Sequence, residues 1–284
     1  MEIEMKNTHG SWYDLYNGDC LSILNMADSP IKDKSVDIII TSPPYNTCRH
    51  KTLDQCKNKK EMYGCRYDLY IESMDNDEYA NWTIALFDEF DRVLKEKSVV
   101  LYNYGMGSDS QTGTSINDWF FVISKLVSKT NFVCSDILFW KKYNACPNNM
   151  SSSRLTRVVE PVLVFCRKED DGKCITNKKI SSERKTGQKV YNSFDNFIVA
   201  PNNDGPNPLN KATYSIKFVS NLMDIYIPDD HDNGYVVMDP FNGTGTTGCA
   251  CLERGLNYVG IELSEKQYKF TIDRFSEGVT KNLF

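Results

Sequence analysis

Two short stretches of the chain carry residue types at spacings that could do chemistry. The first is Thr41-Ser42-Pro43-Pro44-Tyr45, which closes the apolar run Ser35–Ile40. That run reads as a buried strand. Two successive prolines cannot continue a central strand, so the chain turns out of the sheet there. The fixed proline φ angles stiffen the turn. Ser42 and Pro43 then offer two hydrogen-bond acceptors, a hydroxyl and a carbonyl, in a set relation. An exocyclic amino group on a nucleobase needs such a pair. Its lone pair is delocalised into the ring, and acceptors at both amino hydrogens free that lone pair to attack an electrophile. Pro44 completes the rigid turn, and Tyr45 supplies a flat face for a base swung out of a duplex. The plain alternative is a Pro-Pro loop exit beside an ordinary tyrosine.

The second stretch weighs against that alternative. Asp239-Pro240-Phe241-Asn242-Gly243-Thr244-Gly245-Thr246-Thr247-Gly248 follows an apolar strand from Tyr235 and opens a helix. A G-x-G-x-x-G run gains meaning in that context. Its glycines let backbone approach a ligand, and the helix start offers free N–H groups. Glu262 ends the next strand, where it can accept both hydroxyls of a ribose. A nucleoside-bearing cofactor fits, in either a dinucleotide oxidoreductase or a methyltransferase. Two features separate these. A nicotinamide-binding turn stands in the first βα unit of its domain, whereas 36 residues follow Gly248 here. A dehydrogenase also has no use for the Ser-Pro-Pro-Tyr turn.

The elements that must hold these stretches are legible in the apolar pattern. A strand before Gly18-Asp19 leads into a helix from Cys20. Helical spacing runs from Asp77 to Leu94, with Trp82, Ala85, Leu86, Phe90, Val93 and Leu94 on its apolar face. Strands are expected at 98–103, 133–140, 158–166, 235–239 and 258–262, and helices at 115–129, 213–226 and 248–255, the last capped by Gly255. Residues 46–75 read as a long polar loop. Strands alternating with helices predict an α/β fold, a mostly parallel sheet with helices on both faces. The chain of 284 residues, 40 % hydrophobic and 25 % charged, suits one large domain.

Composition narrows the setting. The chain holds no apolar run long enough to span a bilayer, and its charged N-terminus lacks a signal-peptide core. Its ten cysteines are irregularly spaced, so free thiols in a reducing, cytoplasmic compartment are expected, with no membrane partner. Cys48, Cys56 and Cys65 near His50 lack paired ligand spacing, and no metal is expected. A net charge of −5 argues against non-specific coating of nucleic acid but leaves room for a local basic face. Residues 167–189 supply one, with eight Lys/Arg against four acids. Lys178, Lys179, Arg184 and Lys185 are its candidate DNA contacts.

Together the two stretches resemble the DNA amino-methyltransferases of bacteria, archaea and their viruses, over nearly the whole chain. The resemblance implies a Rossmann-like methyltransferase fold and S-adenosylmethionine as cofactor. Gly18-Asp19-Cys20 resembles that family's N-terminal element, whose aspartate contacts the cofactor adenine. Thr213 stands where the family begins its methionine-contacting helix, although Lys211-Ala212 and Tyr214-Ser215 depart from the usual His-Pro and Phe-Pro. The resemblance assigns Asp19, Cys20, Thr41, Thr213, Asp239, Pro240, Phe241, Gly243, Gly245, Thr246, Thr247, Glu262 and Leu263 to the cofactor. It assigns Ser42, Pro43, Pro44 and Tyr45 to the target base. The catalytic turn precedes the Gly-rich turn by about 200 residues, as in the permuted β group. A single domain spanning 1–284 follows, with an inserted target-recognition region at approximately 144–210. Double-stranded DNA is the implied partner, with a homodimer and a cognate restriction endonuclease as further ones.

Other readings are weaker. A C5-cytosine enzyme needs a Pro-Cys pair, which is absent. An RNA or protein methyltransferase of related fold would more often show Asn-Pro-Pro-Tyr. A non-catalytic DNA-binding module would not need an intact cofactor turn. Serine at the first turn position favours cytosine N4 slightly over adenine N6, and the sequence leaves both open.

Overall fold

The structure, a computed structural model, describes residues 3–6, 11–46, 74–105, 116–145, 152, 155–205, 207, 209–210 and 213–276. Most of the expected 46–75 loop, with Cys48, His50, Cys56 and Cys65, lies outside them, as do Cys146 and Lys211-Ala212.

Among the described residues, eleven strands and six α-helices follow in chain order: β1 Ile3–Lys6, β2 Trp12–Asn17, α1 Cys20–Leu24, β3 Val36–Thr41, α2 Asn76–Val93, β4 Leu94–Asn103, α3 Ile116–Lys129, β5 Phe132–Lys142, β6 Val159–Arg167, β7 Ile180–Glu183, β8 Lys189–Tyr191, β9 Phe197–Ala200, α4 Ile216–Tyr226, β10 Val236–Asp239, α5 Thr246–Glu253, β11 Asn257–Glu262 and α6 Glu265–Ser276. Nine strands form one sheet in the order β1-β2-β11-β10-β3-β4-β6-β5-β9. The five from β2 to β4 run parallel. The antiparallel β6 then joins β4 to β5, and β9 adds to β5 in parallel.

The parallel strands are buried on both faces, which explains their continuous apolar runs. Val36, Ile38, Ile39 and Ile40 are all buried, as is the whole of β10. Ile38 and Ile40 pack on one side with residues of α4, α5 and α6. Ile39 packs on the other with α1, α2 and α3. Helix α2 opens on a capping box between Asp75 and Glu78 and buries Tyr79, Leu86, Phe87, Phe90 and Val93. Each such side chain contributes roughly 1.5–3 kcal/mol. Helix α5 closes as expected: Gly255 takes a left-handed φ of 69°, and the Leu256 N–H reaches back to the Cys251 carbonyl.

Two features matter for the site. The segment 144–210 supplies β6, the strand expected at 158–166, and also β9, which was not expected. The basic stretch 167–189 is also more ordered than its pattern suggests, with β7 and β8 pairing as a separate hairpin. Its first residue, Arg167, is buried, with its guanidinium paired to Asp91 and donating to the Asp91, Leu94 and Lys95 carbonyls. It locks β6 to the junction where α2 passes into β4.

Candidate active site

β3 and β10 are neighbours, with Val237 opposite Ile38 and Met238 opposite Ile39. The chain leaves β10 for β11 on one side and leaves β3 for β4 on the other. Between strand ends that part this way the connecting segments cannot fill the gap, and a crevice opens at the carboxyl ends. A cavity of about 330 Å³ lies there, within the size range of small-molecule sites. Two stretches about 200 residues apart in the chain thus share one wall.

Residues from the two motif turns and from the first helix start shape this cavity. Glu262 grips the Gly-rich turn: its Oε2 accepts from the Gly243 N–H at 2.7 Å and its Oε1 from the Ser264 N–H at 2.8 Å. Its carbonyl accepts from the Gly18 N–H at 2.9 Å. Asp19 caps α1, its Oδ1 accepting from the Ser22 N–H and hydroxyl, both at 2.9 Å. Cys20 is buried behind it, and burial holds its thiol protonated. Gly245 caps α5 at a left-handed φ of 81°, which explains a glycine there. Phe241, Ile261 and Leu263 give the cavity apolar surface, and Thr213, Tyr214, Asn210 and Thr246 give it polar groups.

Asp239 ties the two motif strands together. Its Oδ1 accepts from the Thr41 hydroxyl at 2.7 Å and the Phe241 N–H at 3.0 Å. Its Oδ2 accepts from the Thr247 hydroxyl at 2.7 Å and the Tyr214 hydroxyl at 3.1 Å. The residue is 1 % exposed. Burial raises its pKa, and those four donors act in the opposite direction. Thr41, Asp239 and Thr247 therefore form a seam beside the cavity, whereas Thr213, Pro240, Phe241, Gly243, Thr246, Glu262 and Leu263 line it.

The Ser-Pro-Pro-Tyr turn is held at several points. The Tyr79 hydroxyl donates to the Pro44 carbonyl at 2.6 Å. Asn46, at a left-handed φ of 52°, exchanges two hydrogen bonds with the backbone of Met74, at 2.8 and 3.1 Å. Ser42 and Pro44 line the cavity, and Pro43 is buried. Among the described residues none donates to the Pro43 carbonyl. The half-buried Tyr45 meets Tyr104 edge-on at 5.7 Å. Its hydroxyl donates to Asn103 Oδ1 at 2.9 Å and lies 2.9 Å from Ser42 Oγ. A Cβ on Gly105 would fall 2.4 Å from Tyr45 Cε2, so Gly105 leaves room for that ring.

A family model described as DNA methylase, of the N6/N4 methyltransferase type, matches residues 36–273. The chain belongs to the N6/N4 DNA methylase family. Among its relatives, type II methyltransferase M.Cfr9I of Citrobacter freundii is 25 % identical, over 92 % of this chain and 86 % of that protein. M.HinfI of Haemophilus influenzae is 25 % identical, over 93 % and 68 %. Among solved structures, the cytosine-N4-specific PvuII DNA methyltransferase matches with a TM-score of 0.67 at 15 % identity, over 93 % of this chain and 86 % of that one. A putative DNA modification methylase of Thermus thermophilus, complexed with S-adenosyl-L-methionine, gives 0.58 at 17 %, over 94 % and 96 %. The expected Rossmann-like methyltransferase fold is the fold observed.

Four expected DNA contacts of this methylase are not brought to the cavity. β6 runs antiparallel to β4, so it delivers the chain to the end of the sheet away from the site. There the Ile175 N–H bonds the Lys97 carbonyl at 3.2 Å, and the Asn177 N–H the Ile225 carbonyl at 2.7 Å. Lys178 and Lys179 sit at the root of the β7–β8 hairpin, with Lys179 paired to Asp229, and Arg184 and Lys185 at its turn. Counting charge along the sequence found a basic segment, but strand direction decides which end it reaches. Asn103, Asn210, Tyr214 and Gln267 are site residues that motif reading missed. Their common signal is position beside the carboxyl ends of the parallel strands or on the segments facing them.

Proposed function

We propose that this methylase binds S-adenosylmethionine in the crevice between β10 and β3 and methylates the exocyclic amino nitrogen of a base flipped out of double-stranded DNA. The observation that carries the reading is the adjacency of a nucleoside-sized pocket and a rigid pair of acceptors. The residues fit that cofactor. Glu262 offers a carboxylate for ribose hydroxyls, and Asp19 a carboxylate at the adenine end. Leu263, 41 % exposed, and Phe241 offer apolar surface to a ring. The polar groups of Asn210, Thr213 and Thr246 suit an amino-acid moiety. The Thermus neighbour complexed with S-adenosyl-L-methionine supports the same choice. When bound, that cofactor supplies an electrophilic methyl carbon on a sulfonium.

The chain's own residues prepare the nucleophile. Ser42 Oγ and the Pro43 carbonyl accept the two amino hydrogens, and Tyr45 packs against the extruded base. Cytosine N4 is favoured over adenine N6 by the serine at the first position and by likeness to a cytosine-N4-specific fold neighbour. DNA approaches the site's end of the sheet, where the β5–β6 connection carries the exposed Arg157. A homodimer and a cognate restriction endonuclease are proposed on family likeness; sedimentation and neighbouring coding sequence test them. Incubation with plasmid DNA and nucleoside mass spectrometry tests the main reading. N4-methylcytosine is expected; N6-methyladenine corrects the base, and unmodified DNA with methylated RNA or protein overturns the substrate class.

A further inference from the structure

We propose that Asn103 is a positioning residue that fixes Ser42 as a hydrogen-bond acceptor, acting through the hydroxyl of Tyr45. This rests on the reading of Ser42 as the acceptor of a target amino hydrogen. The register that pairs Asn103 with Val162 brings the preceding carbonyl, that of Pro161, to 3.1 Å from Asn103 Nδ2. A carbonyl can only accept, so the Asn103 amide must turn its NH₂ toward Pro161 and its Oδ1 the other way. Oδ1 can also only accept, and the Tyr45 hydroxyl lies 2.9 Å from it. Tyr45 therefore spends its single proton on Asn103. Ser42 Oγ lies 2.9 Å from the same Tyr45 oxygen, which has no second proton to give, so Ser42 must donate its own.

The result is a serine with its proton committed and its lone pairs left over, on the wall of the cavity. Such a serine can accept from an amino group and cannot donate to it. The polarity matters because a hydroxyl free to rotate could donate to the amino nitrogen and occupy the lone pair that must attack. Asn103 is 3 % exposed, so water does not compete for its amide. An amide does not titrate, so the polarity holds across pH, which a carboxylic acid in its place would not ensure.

Single-turnover methyl transfer at saturating cofactor tests this with Ser42→Ala, Asn103→Leu, Tyr45→Phe and the two doubles containing Ser42→Ala. Ser42→Ala should slow transfer on the order of 10²-fold, as loss of one pre-organised polar group does. Asn103→Leu and Tyr45→Phe should each slow it about tenfold, the kinetic equivalent of one neutral hydrogen bond, with affinity for the demethylated cofactor unchanged. In the Ser42→Ala background neither should slow transfer further, because nothing remains to orient. A second tenfold loss in that background overturns the proposal, since it assigns both residues to packing alone. Tyr45→Phe keeps the ring in place and carries the test if Asn103→Leu does not fold. A wild-type rate for Ser42→Ala overturns the underlying reading of Ser42, a result distinct from an additive cycle.

Discussion

Glu262 combines two duties in one side chain, gripping the Gly-rich turn through the Gly243 and Ser264 N–H groups and facing the cavity. Glu262→Ala leaves two backbone donors unpaired and removes the proposed ribose acceptor. It should weaken calorimetric binding of the cofactor by at least about tenfold, since a hydrogen bond to a charged group contributes about 1.5–3 kcal/mol. Unchanged affinity would take Glu262 out of the site. Gly105→Ala should disturb the Tyr45 ring, because its Cβ would lie 2.4 Å from Cε2. Lower turnover with retained cofactor affinity is the outcome expected from paired kinetics and calorimetry. At this scale the motif residues were legible because each needs a particular side chain at a particular turn. Asn103 was not. Its partner Pro161 is 58 residues away, and only the antiparallel β4–β6 register joins them.

The elements themselves followed from periodicity wherever burial was strong. β3, β10, β11, α2 and α4 were legible because each has a face or a core to fill. α6 escaped notice because its buried positions include Gln267 and Thr271 beside Tyr268 and Phe275, too polar a set for an apolar stripe. The hairpin β7–β8 is exposed nearly throughout, so it left no pattern. Its location changes what is expected of its charges. Neutralising Lys178, Lys179, Arg184 and Lys185 together should leave DNA affinity and its salt slope unchanged. Arg157→Ala together with Lys141→Ala, the latter an exposed cation near the site-side end of β5, should instead flatten the slope, by about one unit for each phosphate no longer neutralised. Salt-dependent binding titrations check both, and the reverse pattern would return the hairpin to the DNA interface. Gly245→Ala should destabilise the fold by at least about 1–2 kcal/mol, the ordinary strain of a left-handed alanine. The new Cβ would also lie 2.7 Å from Thr271 Cγ2. Urea denaturation measures that loss.

At the scale of the whole molecule, the order of the motifs along the chain says little about their order in space. Strand β10 comes late in the sequence and sits mid-sheet, directly beside β3. The permuted arrangement was legible from motif order alone, but the crevice was not, because it depends on β10 and β3 sending the chain in opposite directions. That geometry lets a cofactor turn and a base-binding turn meet without either lying on the other's connection. The most direct test of the account is single-turnover transfer of labelled methyl from S-adenosylmethionine to plasmid DNA, by the wild-type chain and by Ser42→Ala, with the label located by nucleoside analysis. Label is expected on an exocyclic amino nitrogen, N4 of cytosine, with a rate for Ser42→Ala lower on the order of 10²-fold and cofactor affinity unchanged. Label elsewhere on the base, or equal rates for the two proteins, would contradict it.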